Sequence, residues 1–254
     1  MGGKLFSNTT SINKSYVNDT VNDLFYKHLS HLGITKFKYI GSTGKTTVSG
    51  DIDICISCSP QNKKTLSLLL CERLGKNNVK ISGKNVSIKY PIFGFKNQFV
   101  QIDLMLAEKD KLDDIAWLMS GDSEKGIKGV YRNLMLSHMA KKISNKMPKN
   151  KKITISFPGG LHHKILINNK WQDESITTDP EKILKILGIK ESHQNILTFM
   201  KLVDYLIEDN SSCHYLDDFN DYINNYIVSD PLNSRRAIWY IKTKKRLKNE
   251  KSIS

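Results

Sequence analysis

Two short segments alternate between apolar and polar residues, and this alternation constrains the fold more than any other feature of the chain. Isoleucine occupies every second position in residues 51–56, and Val, Ile or Leu occupies every second position in residues 99–106. Because successive side chains of a strand point to opposite faces, both segments are predicted to be strands with one apolar, buried face. Asp51 and Asp53 share the other face of the first strand, and Asp103 lies on the corresponding face of the second.

The flanking residues predict a mixed α/β sheet in the first part of the chain. Apolar spacings of three and four indicate helices, which end where glycine follows, and short alternating runs joined by turn residues indicate further strands. The predicted elements are a helix over 17–32 ending at Gly33, a strand over 35–40, a loop over 41–50, a helix over 65–74 stopped by Gly75, and a hairpin of strands 79–81 and 86–90.

Beyond residue 108 the pattern changes to helical spacing. Helices are predicted over 112–119, 130–143, 181–187 and 193–207, with two more after Ser211, and residues 153–171 are interpreted as a hairpin or an irregular loop. The predicted fold class is therefore α+β: a mixed sheet with flanking helices over residues 1–108, followed by a mainly helical region over residues 109–254.

The loop that starts at Gly41 allows two interpretations. Its sequence, Gly41-Ser42-Thr43-Gly44-Lys45-Thr46, contains the Gly-Lys-Thr of a phosphate-binding P-loop. A P-loop also needs a glycine with four residues between it and that triplet, and this chain has Tyr39 at that position. In addition, a P-loop is followed by a helix whose N-terminal amides bind phosphate. Here a strand is predicted to follow, so a P-loop NTPase is kept only as an alternative.

The other interpretation uses a longer pattern. An apolar residue, Gly41-Ser42, a loop and the Asp-Ile-Asp of residues 51–53 resemble the signature of the nucleotidyltransferase superfamily that includes DNA polymerase β. That family completes its site with a third carboxylate on a later strand, and Asp103 stands in that position. The resemblance covers residues 34–106, and eight residues separate Ser42 from Asp51, slightly fewer than in most members.

The resemblance implies a catalytic role for the three carboxylates Asp51, Asp53 and Asp103. Asp51 and Asp53 would bridge two Mg²⁺ ions, or Mn²⁺ in their place, and Asp103 would hold the ion that activates an acceptor hydroxyl. Gly41 would permit a tight turn, Ser42 and neighbouring amides would bind the β- and γ-phosphates of a nucleoside triphosphate such as ATP, and Lys45 would offset triphosphate charge.

The charge of the chain suggests the partner. Thirty-nine Lys and Arg against 25 Asp and Glu give a net charge of +14, which attracts polyanions, although A/T-rich genomes also produce lysine-rich proteins. Three basic clusters are candidate contacts. The first is Lys125, Lys128 and Arg132 on a predicted helix face, of which Lys128 and Arg132 are nucleotide-binding candidates. The second consists of the lysines from 141 to 152. The third, beside Trp239 and Tyr240, consists of the C-terminal residues Arg235, Arg236, Lys242, Lys244, Lys245, Arg246, Lys248 and Lys251.

Together these features predict a metal-dependent enzyme that transfers a nucleoside monophosphate from a triphosphate to an acceptor hydroxyl, at the 3′ end of an RNA such as tRNA. The alternatives are nucleotidylation of a protein or small molecule, a nucleic-acid-binding protein without turnover, and the P-loop NTPase. No apolar run approaches the ~20 residues of a membrane span, and the four cysteines form no disulfide framework. We therefore expect a cytoplasmic protein, in the host cytoplasm if it is viral, without a membrane partner. The transferred nucleotide and the oligomeric state stay open.

Overall fold

The computed structural model describes residues 5–157, 159–209, 212–226 and 231–251. The chain forms two compact units, Met1–Ala116 and Trp117–Ser254, so the division falls eight residues after the predicted boundary at residue 108. The α+β class is confirmed, with a mixed sheet in the first unit and a mainly helical second unit.

Strands of the first unit form one small pair and one five-stranded sheet. The strands are β1 (Ile12–Asn13), β2 (Phe37–Tyr39), β3 (Val48–Ser49), β4 (Ile52–Ser57), β5 (Val79–Ser82), β6 (Asn85–Pro91) and β7 (Phe99–Ala107). β1 pairs with β3, and the large sheet has the order β2-β4-β7-β6-β5. The central strands β4 and β7 run parallel, and the other neighbours are antiparallel. The predicted hairpin and both alternating strands are confirmed.

Helices of the first unit end where the sequence predicted. α1 (Lys14–Leu24) continues through the π-helical turn Phe25–Leu29 and the 3₁₀ turn Ser30–Leu32, and it stops at Gly33 with φ of 76°. α2 (Lys63–Leu74) stops at Gly75. α3 (Leu112–Met119) follows the sheet, and its last three residues belong to the second unit. Short 3₁₀ turns occupy Pro60–Asn62, Lys76–Asn78 and Lys109–Lys111.

The core of the first unit lies on the apolar face of β4 and β7. Ile52, Ile54 and Ile56 pair with Ile102, Leu104 and Leu106, and all six are at most 4 % exposed. Burial of each such side chain contributes about 1.5–3 kcal/mol, so the alternation fixes which face is buried. Cys55, on the opposite face, is also fully buried, so only the end of that face near Asp53 is open.

The second unit combines helices with a small antiparallel sheet. Its elements are α4 (Val130–Ser144), β8 (Lys151–Ser156), β9 (Gly160–Ile167), β10 (Lys170–Thr177), α5 (Pro180–Ile186), α6 (Phe199–Glu208), α7 (Phe219–Tyr226) and α8 (Pro231–Lys251), with 3₁₀ turns at His193–Asn195 and Cys213–Leu216. The predicted helix over 193–207 begins only at Phe199, because the Thr198 side chain accepts from Lys201 N–H and caps a new helix there.

The sheet of the second unit has the order β10-β9-β8. The hairpin interpretation of residues 153–171 is therefore confirmed, but the third strand was missed. Residues 170–176 of β10 are all exposed, so the sequence has no apolar face to signal a strand there. Asn168 and Asn169, both with positive φ, form the turn before β10. None of the helices in the described ranges is both long and apolar enough to cross a membrane.

Candidate metal and nucleotide site

Three carboxylates meet at one end of the parallel strand pair in the first unit. Asp53 on β4 and Asp103 on β7 are direct partners in the parallel register, and Asp51 immediately precedes β4 on the same face as Asp53. Each of the three offers a carboxylate oxygen, and these atoms lie within 4.8 Å of one another. All three residues are partly buried. The structure thus brings together the three aspartates that the sequence pattern selected.

Hydrogen bonds fix the geometry of two of these aspartates. Gln101 Nε2 donates to both carboxylate oxygens of Asp103, at 3.1 and 3.2 Å, and Gln101 is itself buried. The backbone N–H of Asp53 donates to Thr43 Oγ1 at 2.7 Å, which ties the loop to β4. The positioning roles of Gln101 and Thr43 were missed from sequence. Gln101 shares the strand face of Asp103, which was a usable signal, whereas Thr43 stands in a loop without periodicity.

Electrostatic repulsion within the trio favours a bound cation. Burial, followed by the charges of Asp51 and Asp103, raises the pKa of Asp53 from 3.8 to about 7. Like charges at this separation disfavour simultaneous ionisation, and a bound cation removes that penalty.

The donor set also fits magnesium. An octahedral Mg²⁺ ion with oxygen ligands at about 2.1 Å places those ligands roughly 3 to 4 Å apart, and two-metal sites hold their ions about 3.5–4 Å apart. Carboxylate oxygens within 4.8 Å of one another are close enough to share such ions. Asp51, Asp53 and Asp103 are the residues that would hold the ions.

Gly41 lies against this trio. Its φ is +61°, and a Cβ atom added there would lie 2.8 Å from Asp53 Oδ2. Both the backbone conformation and the close approach require glycine. The loop can therefore pass directly beside a carboxylate, which is where the Gly-Ser of the sequence pattern was expected.

Ser42 and Lys45 lie exposed on the turns that follow Gly41. Thr43 N–H donates to Ile40 O at 3.3 Å, and Lys45 N–H donates to Ser42 O at 3.1 Å. The loop then enters β3 and β4 instead of a helix. A P-loop needs a helix N-terminus at this point, so the structure argues against the P-loop alternative.

The prediction that Lys125, Lys128 and Arg132 lie together on one helix face is wrong. The helix starts at Val130, so Lys125 and Lys128 precede it, and Lys125 adopts a positive φ of 46°. Lys128 is exposed, but Arg132 is fully buried.

Arg132 is held inside the second unit by its own neighbours. Its Nη2 donates to Trp117 O at 2.6 Å, and the guanidinium carbon lies 4.2 Å from the centre of the Trp117 ring. Burial lowers the pKa of Arg132 to about 10. A carbonyl and an aromatic face replace water around this charge, so Arg132 is a structural group of its unit and does not present a nucleotide-binding surface.

The C-terminal basic cluster is partly neutralised within its own unit. Lys244 pairs with Asp204 at 2.9 Å and Lys245 pairs with Asp217 at 2.6 Å. Tyr240 is buried and donates to Asp204, whereas Trp239 is 66 % exposed. The side chain of Lys251 lies outside the described residues.

Comparisons with known proteins add no assignment: no family model and no curated protein matches the chain.

Proposed function

We propose that this chain is a metal-dependent nucleotidyltransferase that moves a nucleoside monophosphate from a triphosphate to an acceptor hydroxyl and releases pyrophosphate. The observation that carries the proposal is the meeting of Asp51, Asp53 and Asp103 on one sheet face, with Gly41 packed against Asp53. A single aspartate on an exposed strand needs no partner, but three partly buried carboxylates close together repel one another, and a bound cation would offset that repulsion.

In the proposed reaction the acceptor oxygen forms a bond to the α-phosphorus, and the bond from that phosphorus to the α,β-bridging oxygen breaks. The acceptor hydroxyl loses its proton, and pyrophosphate leaves. Divalent cations, when bound, supply charge neutralisation at the phosphates and acidify the attacking hydroxyl. The chain's own residues provide the ligand positions: Gln101 fixes the Asp103 carboxylate, and Thr43 fixes β4 at Asp53.

RNA is the acceptor class that the charge of the chain supports. A net charge of +14 favours a polyanionic acceptor over a small neutral molecule. The 3′ hydroxyl of an RNA strand combines that polyanion with the nucleophile that the reaction needs. A nucleic-acid-binding protein without turnover has no electrostatic reason to keep three carboxylates together, since they repel phosphate.

The proposal is tested by incubating the protein with Mg²⁺, a small-RNA pool and each α-labelled nucleoside triphosphate in turn. Label should appear on RNA in a denaturing gel. Asp103→Asn and Asp103→Ala should both reduce incorporation at least 100-fold, because electrostatic groups at the reacting phosphate contribute factors of this size. Asp113→Asn removes an exposed carboxylate of the same unit and should leave incorporation unchanged.

Other results would redirect the assignment. Label on protein or on a small molecule, again lost in Asp103→Asn, would keep the chemistry and replace the acceptor. Release of inorganic phosphate that survives loss of Asp51 and Asp53 would support an NTPase instead. Absence of any transfer, with all four triphosphates and with Mn²⁺ in place of Mg²⁺, would contradict the proposal.

A further inference from the structure

A groove of about 880 Å³ lies in the second unit between α4 and the three-stranded sheet. Its walls include four lysines, Lys141, Lys149, Lys151 and Lys152, and the aromatic residues Phe157, Trp171 and Tyr222. This volume lies in the range that accommodates small ligands or short segments of a polymer. The groove uses none of the residues of the metal site, so it needs a separate explanation.

The lining of the groove is positively charged. No Asp or Glu is found among its lining residues, and Lys141, Lys149, Lys151 and Lys152 form no ion pair within the described part of the chain. The neighbouring Lys142, by contrast, pairs with Asp218 at 2.6 Å. Four ammonium groups around one concave surface repel one another, and an anionic ligand would offset that repulsion.

Trp171 gives the groove a second recognition element. It lies on the edge strand β10 and is 43 % exposed, although large aromatic side chains are usually covered. Lys152 Nζ lies 3.9 Å from the centre of its ring, so a cation–π contact holds the indole at the wall of the groove. An indole ring held among lysines combines a stacking surface with phosphate-binding groups.

We propose that this groove binds a single-stranded nucleic acid, with its phosphates on the four lysines and a base stacked on Trp171. Single strands fit better than duplexes, because the bases of a duplex are stacked inside it and cannot reach an aromatic side chain. RNA and single-stranded DNA share this chemistry. The inference deepens the proposed function and rests on it in one respect: the bound strand would be the acceptor of nucleotidyl transfer.

The test measures binding directly, on the full chain and without nucleoside triphosphate. A fluorescein-labelled 12-nucleotide RNA of mixed sequence, the matching DNA strand and an annealed duplex are titrated and followed by fluorescence polarisation at several salt concentrations. Both single strands should bind, and the duplex should bind at least 5-fold more weakly. Preference for the duplex would overturn the proposal.

The substitution Trp171→Ala should weaken single-strand binding about 5- to 100-fold, the range found when one stacking side chain is removed, and Trp171→Phe should restore most of it. Tyr26→Ala in the first unit is the control, because Tyr26 is more exposed than Trp171 and lies outside the groove. Equal weakening by both alanine variants, or no effect of Trp171→Ala, would overturn the proposal. Circular dichroism of each variant checks that the fold is intact.

Charge is tested separately with Lys149→Gln combined with Lys151→Gln. Each lost phosphate contact should reduce the slope of log affinity against log salt by about 0.7, so the pair should reduce it by roughly 1.4. Lys76→Gln combined with Lys84→Gln, at two exposed positions of the first unit outside the groove, is the control and should change the slope less. Tighter binding of poly-glutamate than of either strand would overturn the proposal in favour of an acidic protein partner.

Binding and catalysis can fail independently in this design. Asp103→Asn should bind the 12-nucleotide RNA as wild type does and transfer no label. Groove-dependent binding without transfer by wild type would leave the groove assignment standing and remove the proposed function. Transfer to RNA that Trp171→Ala leaves unchanged would support the proposed function and overturn the groove assignment.

Discussion

A Cβ atom on Gly41 would lie 2.8 Å from Oδ2 of Asp53, so the glycine loop and the central carboxylate of the candidate site exclude any other residue at position 41. Cβ atoms essentially never approach a heavy atom this closely, and the nearest atom belongs to a side chain whose position the site depends on. The substitution Gly41→Ala must therefore displace either the loop or Asp53.

We expect Gly41→Ala to reduce nucleotidyl transfer at least 10-fold. Gly44→Ala is a matched control, since Gly44 has a similar positive φ of +70° and no heavy atom within 4 Å of its added Cβ. Both variants carry the same backbone strain of about 1 kcal/mol or more, but only Gly41→Ala meets the carboxylate. Urea unfolding and label incorporation should show similar losses of stability and very different losses of activity. Equal activities would contradict the assigned contact.

The pH dependence of metal-free stability gives a second prediction, centred on Asp53. Its pKa is 3.8 in an unfolded chain and about 7 in the folded protein, where burial and then Asp51 and Asp103 disfavour the charged form. Between about pH 4 and pH 7, Asp53 is therefore protonated more fully in the folded protein than in the unfolded chain. Stability should fall as pH rises from about 4 to about 7.

Asp53→Asn should remove this loss and stabilise the protein at pH 8 in EDTA by on the order of 2 kcal/mol, while abolishing transfer. Urea unfolding at pH 5 and pH 8 measures the effect, with Asp113→Asn as the control. Saturating Mg²⁺ should stabilise wild type at pH 8 more than it stabilises Asp53→Asn. A variant that is less stable than wild type at pH 8 without metal would refute the repulsion argument.

The shared face of the strand aspartates could be predicted from the sequence, because period-two alternation assigns a face to every residue of a strand. Ile52, Ile54 and Ile102 mark the buried face, so Asp53 and Asp103 had to share the other one. Their direct pairing could not be predicted, because it depends on the register of two parallel strands, in which Asp53 and Asp103 are 50 positions apart in the sequence.

Arg132 and β10 show where sequence reasoning fails. A basic residue near a predicted helix start is usually exposed, and the sequence does not show that carbonyls and the Trp117 ring surround Arg132. β10 has no apolar face, so only its pairing with β9 makes it a strand. Both features depend on contacts that the apolar periodicity of the sequence does not encode.

Burial of Arg132 leads to a third prediction. Arg132→Met should destabilise the protein by about 2–4 kcal/mol, because it leaves the Trp117 carbonyl without its 2.6 Å donor. Lys128→Met, at an exposed position four residues earlier, should change stability by less than about 0.5 kcal/mol. If Arg132 instead bound triphosphate, Arg132→Met would raise KM and leave the urea midpoint unchanged.

Acid sensitivity of the second unit is a fourth prediction, and it depends on His138. This side chain is buried and packs against the rings of Phe219 and Tyr222, with ring centres 5.6 and 4.9 Å away. Burial, and next the nearby charge of Lys142, lowers the pKa of His138 from 6.5 to about 4. The unfolded chain therefore binds a proton more readily between these values, and stability should fall as pH drops from about 6.5 to about 4.

The loss at pH 4.5 relative to pH 7 should be about 2 kcal/mol from this one group. His138→Phe keeps an aromatic ring against Phe219 and Tyr222 and has no group to protonate. Its free energy of unfolding should therefore depend less on pH over this interval, by that amount. The exposed His31 provides the control, and His31→Gln should keep the acid sensitivity of wild type. Urea unfolding at both pH values gives the change in free energy of unfolding with pH for each variant. A packing cost of phenylalanine is the same at both pH values and therefore cancels in this difference. Full acid sensitivity in His138→Phe would show that other groups, such as the Lys142–Asp218 ion pair, control the acid response of this unit.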